Sequence, residues 1–543
     1  MSSLLPYHEP SIATILKQSS FLLVLNAVNH VLDSWIYAGL VGQILVGVAW
    51  GMPGGQILEV HTQEVIVELG YLGLILLVFE GGLSTSFKAL KANIVLSAMV
   101  ALTGIAVPMG LSFVLSPMIG ASSLQAFAAG AALCATSLGA TFTLLSTSGL
   151  SSSRLGVVLT SAAMMDDVVG LIMVQVISNL GTSSAFDAVT VVRPVFVSLG
   201  LAVLLPLFCR FIVMPITKLI VRQRQAKPSS LMSRLLRKEL TALTLYTGIL
   251  VGIVAGATYA GSSALLGAYI AGAMISWWDA EAPHPKDSMP SSPSTAEGST
   301  SRTGEVELPP TGEAQGSVGN LPVEDMPMCS GEALFEKYYG PSLRRVFKPL
   351  FFASVGFSIP ITKMFTGSIV WRGLVYTLLM MIGKLVCGLW LLRMPNPFVM
   401  PKQFARVCDY ILRRNRAPGA PKRKKDRKSS TPPEKPLSIY PGLILGSAMV
   451  ARGEIGYLIS SLAEAGDVFR DPAKRDIAAS NDPTEAFLII TWAITLCTIA
   501  GPVTMGLLVG RVRRLEREVS RDAQQRQRAN VLGSWGISPS PAL

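Results

Sequence analysis

Charge is what this chain has least of. Asp, Glu, Lys and Arg make up 15% of its 543 residues and half are hydrophobic, whereas an average soluble domain carries about 25% charge. That excludes a string of soluble domains, and a mean hydropathy of +0.48 points the same way. Cysteine is sparse too. Cys134, Cys209, Cys329, Cys387, Cys408 and Cys497 are scattered without paired spacing, which argues against a disulfide framework or a thiolate metal site. The four histidines, His8, His30, His61 and His284, stand apart from one another and from the central apolar segments, so no zinc or haem centre is expected. There is no phosphate loop and no HExxH, and the glycine-rich stretches fall in apolar segments. The chain therefore reads as a non-enzyme without a cofactor. No cleaved leader is expected, because Lys17 is followed by only a short apolar run before Asn26, Asn29 and His30.

What the chain does have is apolar length. A bilayer core about 30 Å thick needs about 20 apolar residues per helix. About thirteen such runs follow one another, at 12–32, 36–54, 65–83, 93–117, 123–148, 155–180, 191–215, 238–258, 261–278, 343–363, 367–393, 438–463 and 485–510. The predicted fold class is an all-α polytopic membrane protein, one unit over residues 12–510.

Basic residues in short loops stay in the cytoplasm, and they assign the sides consistently. Lys88 with Lys91, Arg154, the cluster from Lys218 to Arg237, "RRNRAPGAPKRKKDRK" (413–428) and "RVRRLEREVSR" (511–521) all fall on one side if the amino end is outside or lumenal and the carboxyl end inside. The weakly charged loops and the acidic 464–485 segment fall on the other. Residues 279–342 hold eleven acidic and three basic residues among Ser, Pro and Gly, the composition of a disordered acidic cytoplasmic loop. The basic cytoplasmic loop at 395–437 suits anionic lipid headgroups, not nucleic acid, and 511–543 reads as a cytoplasmic tail.

Four places keep charge inside these runs: Asp166 with Asp167, Lys384 in "MMIGKLVCGLW", Arg452 with Glu454 in "AMVARGEIGYL", and Glu80 in "FEGGL". An ionised group at mid-bilayer costs about 2.5–3.5 kcal/mol on insertion scales, so such groups line cavities or pair with each other. Asp166 and Asp167 sit about 11 and 12 residues into their run, near the midplane. Neighbouring helix residues point about 100° apart, so the two carboxylates face different surroundings. One can meet a cation on another helix, for which Lys384 is the candidate, while the other faces a cavity where proton and cation can trade places. A charge cluster that only ties helices together is the alternative.

Two runs are interrupted by small and polar residues. "ALCATSLGATFTLLSTSGL" (132–150) holds Thr136, Ser137, Gly139, Thr141 and Thr143, and "GSAMVARGEIGYL" (446–458) holds Gly453 and Gly456. Each alone is also what small-residue helix packing produces. As a pair in the two halves of a chain, interrupted helices mark a transporter site, because unwound backbone and helix ends stabilise ions at mid-membrane.

"MMDDVVG" after "ATSLGATFTLL", the helix with Lys384, "LLGAYIAGAMI" (265–275), "KPLFFASVGFSI" (348–359) and "ARGEIGYLI" (451–459) together resemble the monovalent cation:proton antiporter superfamily, the sodium/hydrogen exchanger fold. The match is to its aspartate-pair type, in a fungal-like form. The resemblance covers most of residues 36–510 in order. It implies an inverted-repeat antiporter with two discontinuous crossing helices. A dimerising scaffold (12–83 and 238–363) would support a moving core (93–180 and 367–510), with Na⁺ or K⁺ and H⁺ as the exchanged ions and a homodimer as the assembly. It further implies that Asp167 binds ion and proton, that Asp166 pairs with Lys384, that Thr136 and Ser137 complete the ion site, and that Arg452 and Glu454 have structural or gating roles at the second crossover. Glu80 lies in "FEGGL", which is similar to the Asn-Asp branch and leaves stoichiometry open.

Two other classes compete. An intramembrane aspartyl protease needs one aspartate on each of two helices, in YD and GxGD settings, and neither occurs here. A cation channel or a transport-inactive sensor on the same fold remains the alternative to exchange.

Overall fold

A backbone without water to bond must satisfy its own N–H and C=O groups, so long apolar runs become helices. The computed structural model describes residues 9, 11–36, 39–85, 87–137, 145, 150, 153–182, 188–226, 239–281, 330–392, 439–470, 483–522, 532, 535 and 536. All regular structure among them is helical. The main helices are α1 (Ile12–Ile36), α2 (Gly39–Trp50), α3 (Val60–Leu83), α4 (Phe87–Leu111), α5 (Ser123–Cys134), α6 (Arg154–Thr182) and α7 (Ala188–Phe208). They are followed by α8 (Glu239–Tyr259), α9 (Ala264–Glu281), α10 (Gly331–Tyr338), α11 (Lys348–Phe357), α12 (Gly367–Leu385), α13 (Tyr440–Val450), α14 (Glu454–Ala465) and α15 (Glu485–Asp522).

Every predicted apolar run overlaps a helix, but the 123–148 run is helical only as far as Cys134 among the described residues and the 438–463 run is divided between two helices. Among the described residues, nine stretches are long and apolar enough to cross a bilayer, and α2 and α5 are shorter apolar helices.

Packing gathers the helices into two sets. In one, α1 lies on α2, α11 on α2 and α3, α9 on α3, and α8 on α9. In the other, α4 packs on α5 and α6, α12 on α15 and α4, α13 on α15 and α12, and α14 on α5 and α6. The second set carries the aspartates, the lysine and both interruptions. Within it α4, α5 and α6 stand opposite α12, α13 with α14, and α15, so a helix, a broken helix and a helix occur twice.

Of the 279–342 segment expected to be disordered, 282–329 lie outside the described residues, and its two ends are folded. Asp279 belongs to α9, and its Oδ2 accepts the backbone N–H of Gly331 at 2.5 Å. Ser330 caps α10, and the buried Phe335 meets Phe79 with ring centroids 5.5 Å apart. A composition averaged over the whole loop hides this short amphipathic turn, in which Leu334 and Phe335 find apolar partners on α3. The basic stretch at 395–437 lies outside the described residues. Across the acidic connection, Glu464 accepts from the backbone N–H of Thr484 at 2.9 Å and from its hydroxyl at 2.6 Å.

Candidate functional site

The first interruption begins where α5 ends at Cys134 and Ala135 turns extended; residues 135–137 are not helical. Gly139, Thr141 and Thr143 lie outside the described residues. The second falls between Val450, the last residue of α13, and Glu454, the first of α14. The two meet: the backbone N–H of Ser137 donates to the carbonyl of Ala451 at 2.9 Å. Gly453 makes that approach possible, since a Cβ there would stand 2.7 Å from both Cβ and Oγ of Ser137.

A helix end leaves carbonyls without intrahelical partners and carries partial negative charge. Arg452, fully buried, meets that need at the end of α5. Its Nη1 donates to the carbonyls of Ala135 at 2.9 Å and Cys134 at 3.3 Å. Its own carbonyl accepts from the Thr498 hydroxyl of α15 at 3.2 Å. Arg452 thus ties the two interruptions together through its side chain and joins them to α15 through its carbonyl.

Against this crossing lies the middle of α6. Lys384 of α12 places Nζ 2.6 Å from Oδ2 of Asp166, with both side chains wholly buried. Thr136 completes a triangle. Its hydroxyl donates to the same Asp166 oxygen at 2.5 Å and accepts from Lys384 at 2.9 Å.

Asp167 has different surroundings. It is 8% exposed, and its buried Oδ1, like Oδ1 of Asp166, has no hydrogen-bond partner among the described residues. Two negative charges act on it, from the half-buried Glu454 at the start of α14 and from Asp166; the facing cation is Lys384, which Asp166 already engages. A buried carboxylate oxygen without a donor is costly, and a proton or a small cation would satisfy it.

Of the residues singled out in the sequence, the structure gathers Asp166, Asp167, Lys384, Thr136, Ser137, Arg452 and Glu454 around one crossing. Thr136 lies on Asp166, not on Asp167. Glu80 is elsewhere: it is half-buried on α3 in the other helix set, and its charged neighbours are Lys348, Arg344 and Glu332.

Two residues at the site went unnoticed in the sequence. Gly104 of α4 faces the ammonium, since a Cβ there would stand 3.3 Å from Lys384 Nζ; as one of 49 glycines, it gave no signal. Buried Tyr376 of α12 donates to Ser112 Oγ at 2.8 Å and so fixes α12 beside the end of α4. A phenol in an apolar run was a usable signal.

The comparisons with known proteins agree with this architecture. The family model for the transmembrane part of sodium/hydrogen exchangers matches residues 22–289. The high-affinity Na⁺/H⁺ antiporter NhaS3 of Synechocystis is 36% identical over 143 residues, covering 26% of this chain and 31% of its own length. The probable Na⁺/H⁺ antiporter GerT of Bacillus cereus is 32% identical over 163 residues, or 30% of this chain and 43% of its own. The Na⁺/H⁺-K⁺ antiporter GerN of the same organism is 29% identical over 157 residues, or 29% of this chain and 40% of its own. The chain thus spans less than half the length of each relative it matches. The solved structure of the sodium proton antiporter MjNhaP1 from Methanocaldococcus jannaschii superposes with a TM-score of 0.55 over 92% of this chain and 99% of that one. At 13% identity, that likeness concerns the fold.

Proposed function

We propose that the chain is a member of the monovalent cation:proton antiporter superfamily, a reading supported by the family match over residues 22–289, and that it is a secondary active antiporter that exchanges Na⁺ or K⁺ for protons by alternating access. Asp167 binds either a proton or the cation and never both, so competition at one carboxylate couples the two fluxes. The observation that carries this reading is the division of labour within the aspartate pair. Oδ2 of Asp166 is held by Lys384 and Thr136, which engages the lysine, whereas Asp167 faces the negative charges of Glu454 and Asp166; Oδ1 of each aspartate is buried without a hydrogen-bond partner among the described residues. Ser137, which bonds Ala451 at the crossing, would complete the ion site with Asp167, and Arg452 and Glu454 set the charge at the crossover.

In this reading α4–α6 and α12–α15 move as the core. The set formed by α1–α3, α8, α9 and α11 is the scaffold through which two copies associate. The amino end faces outside or a lumen, the carboxyl end faces the cytoplasm, and the basic cytoplasmic loops contact anionic lipid. Two facing states with one shared site are sufficient for exchange.

The test is a pH-quench assay on reconstituted protein with Na⁺, K⁺ and Li⁺ in turn, with and without a membrane potential. Saturable proton movement driven by a cation gradient supports exchange and reports stoichiometry. Cation current without a counter-flux of protons would move the assignment to a channel, and silence with all three cations to a sensor.

A further inference from the structure

Near its carboxyl end the chain returns to the bundle. Leu532 is 2% and Trp535 4% exposed, although both stand in a segment whose composition reads as a solvated tail. They belong to one apolar cluster with Leu150, Leu155, Val158 and Leu159 around the start of α6, and with Val509 and Val512 on α15. The guanidinium of Arg154, the first residue of α6, lies 4.7 Å from the centroid of the Trp535 ring. A cation over an indole face is the strongest arrangement of its kind. No residue of the α1–α3, α8, α9 and α11 set takes part in this cluster.

We propose that the carboxyl-terminal segment is a latch. Leu532 and Trp535 occupy an apolar groove at the inner end of the helix set that carries the aspartates, and Arg154 clamps the indole in place. Seated there, the segment ties the end of α15 to the start of α6, the helix of Asp166 and Asp167. Asp167 lies about 20 Å further along α6 at 1.5 Å per residue, so the latch does not plug the ion site. It favours the bundle arrangement in which the groove is formed, and a contact that favours one of two states slows passage through the other. The occupant is the chain's own terminus, delivered by the short stretch after Asp522, which keeps its effective concentration high.

The latch rests on the antiporter reading for its effect on rate but not for its existence, and the test separates the two. Purified full-length protein carrying Trp535→Ala, Arg154→Ala or both is compared with the parent by thermal midpoint in detergent and by cation-driven proton exchange in proteoliposomes. The expected result is a lower midpoint for each single variant, with the double variant falling no further than the worse single one, since both remove one contact. Exchange is expected to rise about two- to tenfold in Trp535→Ala, the shift that loss of one ring and its cation contact produces. Leu532→Ser provides the same readout if Trp535→Ala does not fold. Strictly additive midpoints would overturn the docking itself. Non-additive midpoints with exchange unchanged or lowered would overturn the latch and leave the antiporter reading intact. Absence of exchange in the parent protein would instead count against the antiporter reading, with the midpoints still testing docking.

Discussion

Lys384 and Asp166, 218 residues apart in the chain, meet at 2.6 Å with neither side chain touching solvent. Each has lost its hydration, and each is the other's compensation. Lys384→Met should therefore lower stability by about 3–5 kcal/mol by leaving a buried carboxylate unpaired. Asp166→Asn combined with Lys384→Met should recover much of that loss. Unfolding midpoints of the purified variants check it; equal losses for the single and double variants would mean the pair is not what holds these helices.

Thr136 serves that pair from both sides, donating to Asp166 and accepting from Lys384. Thr136→Val keeps the shape and removes the hydroxyl, at a cost of about 1–3 kcal/mol for the groups left unsatisfied. Thr136→Ser should retain most of the stability and exchange. A comparison of exchange rates and midpoints for the two variants separates the hydroxyl from the packing.

At the crossing the limit is space. A Cβ on Gly453 would stand 2.7 Å from Ser137 Cβ, and the Ser137 to Ala451 hydrogen bond fixes how near the two backbones lie. Gly453→Ala should push the interruptions apart and reduce exchange by at least about tenfold, the effect of displacing a site by near 1 Å. Initial rates in proteoliposomes measure it.

The carbonyls of Cys134 and Ala135 depend on Arg452. Arg452→Met should destabilise the protein by about 1–3 kcal/mol for the acceptors left bare. Arg452→Lys should restore only part, because an ammonium is a point charge where the guanidinium is a fork. Thermal midpoints of the two variants rank the effects.

How far the sequence reaches is clearest from the charges. Asp166, Asp167, Lys384, Arg452 and Glu454 stood out because charge in an apolar run is costly, and they converge. Glu80 stood out by the same reasoning and lies elsewhere, among Lys348, Arg344 and Glu332. Burial cost indicates that a charge has a partner but not which wall of the molecule supplies it. The interruptions were readable from their small polar residues. The point where they touch was not, because Ala451 acts through its carbonyl and Gly104 through the lack of a side chain. Trp535 was missed because the polar residues around it set the character of the tail, while its partners at Leu150 and Leu155 are distant in sequence.

The central claim rests on Asp167, the carboxylate of the pair that Lys384 does not engage. Reconstituted Asp167→Asn protein, placed under Na⁺ and then K⁺ gradients with internal pH recorded, tests it directly. The account predicts a folded protein with no cation-driven proton movement; proton exchange at the parental rate would contradict it.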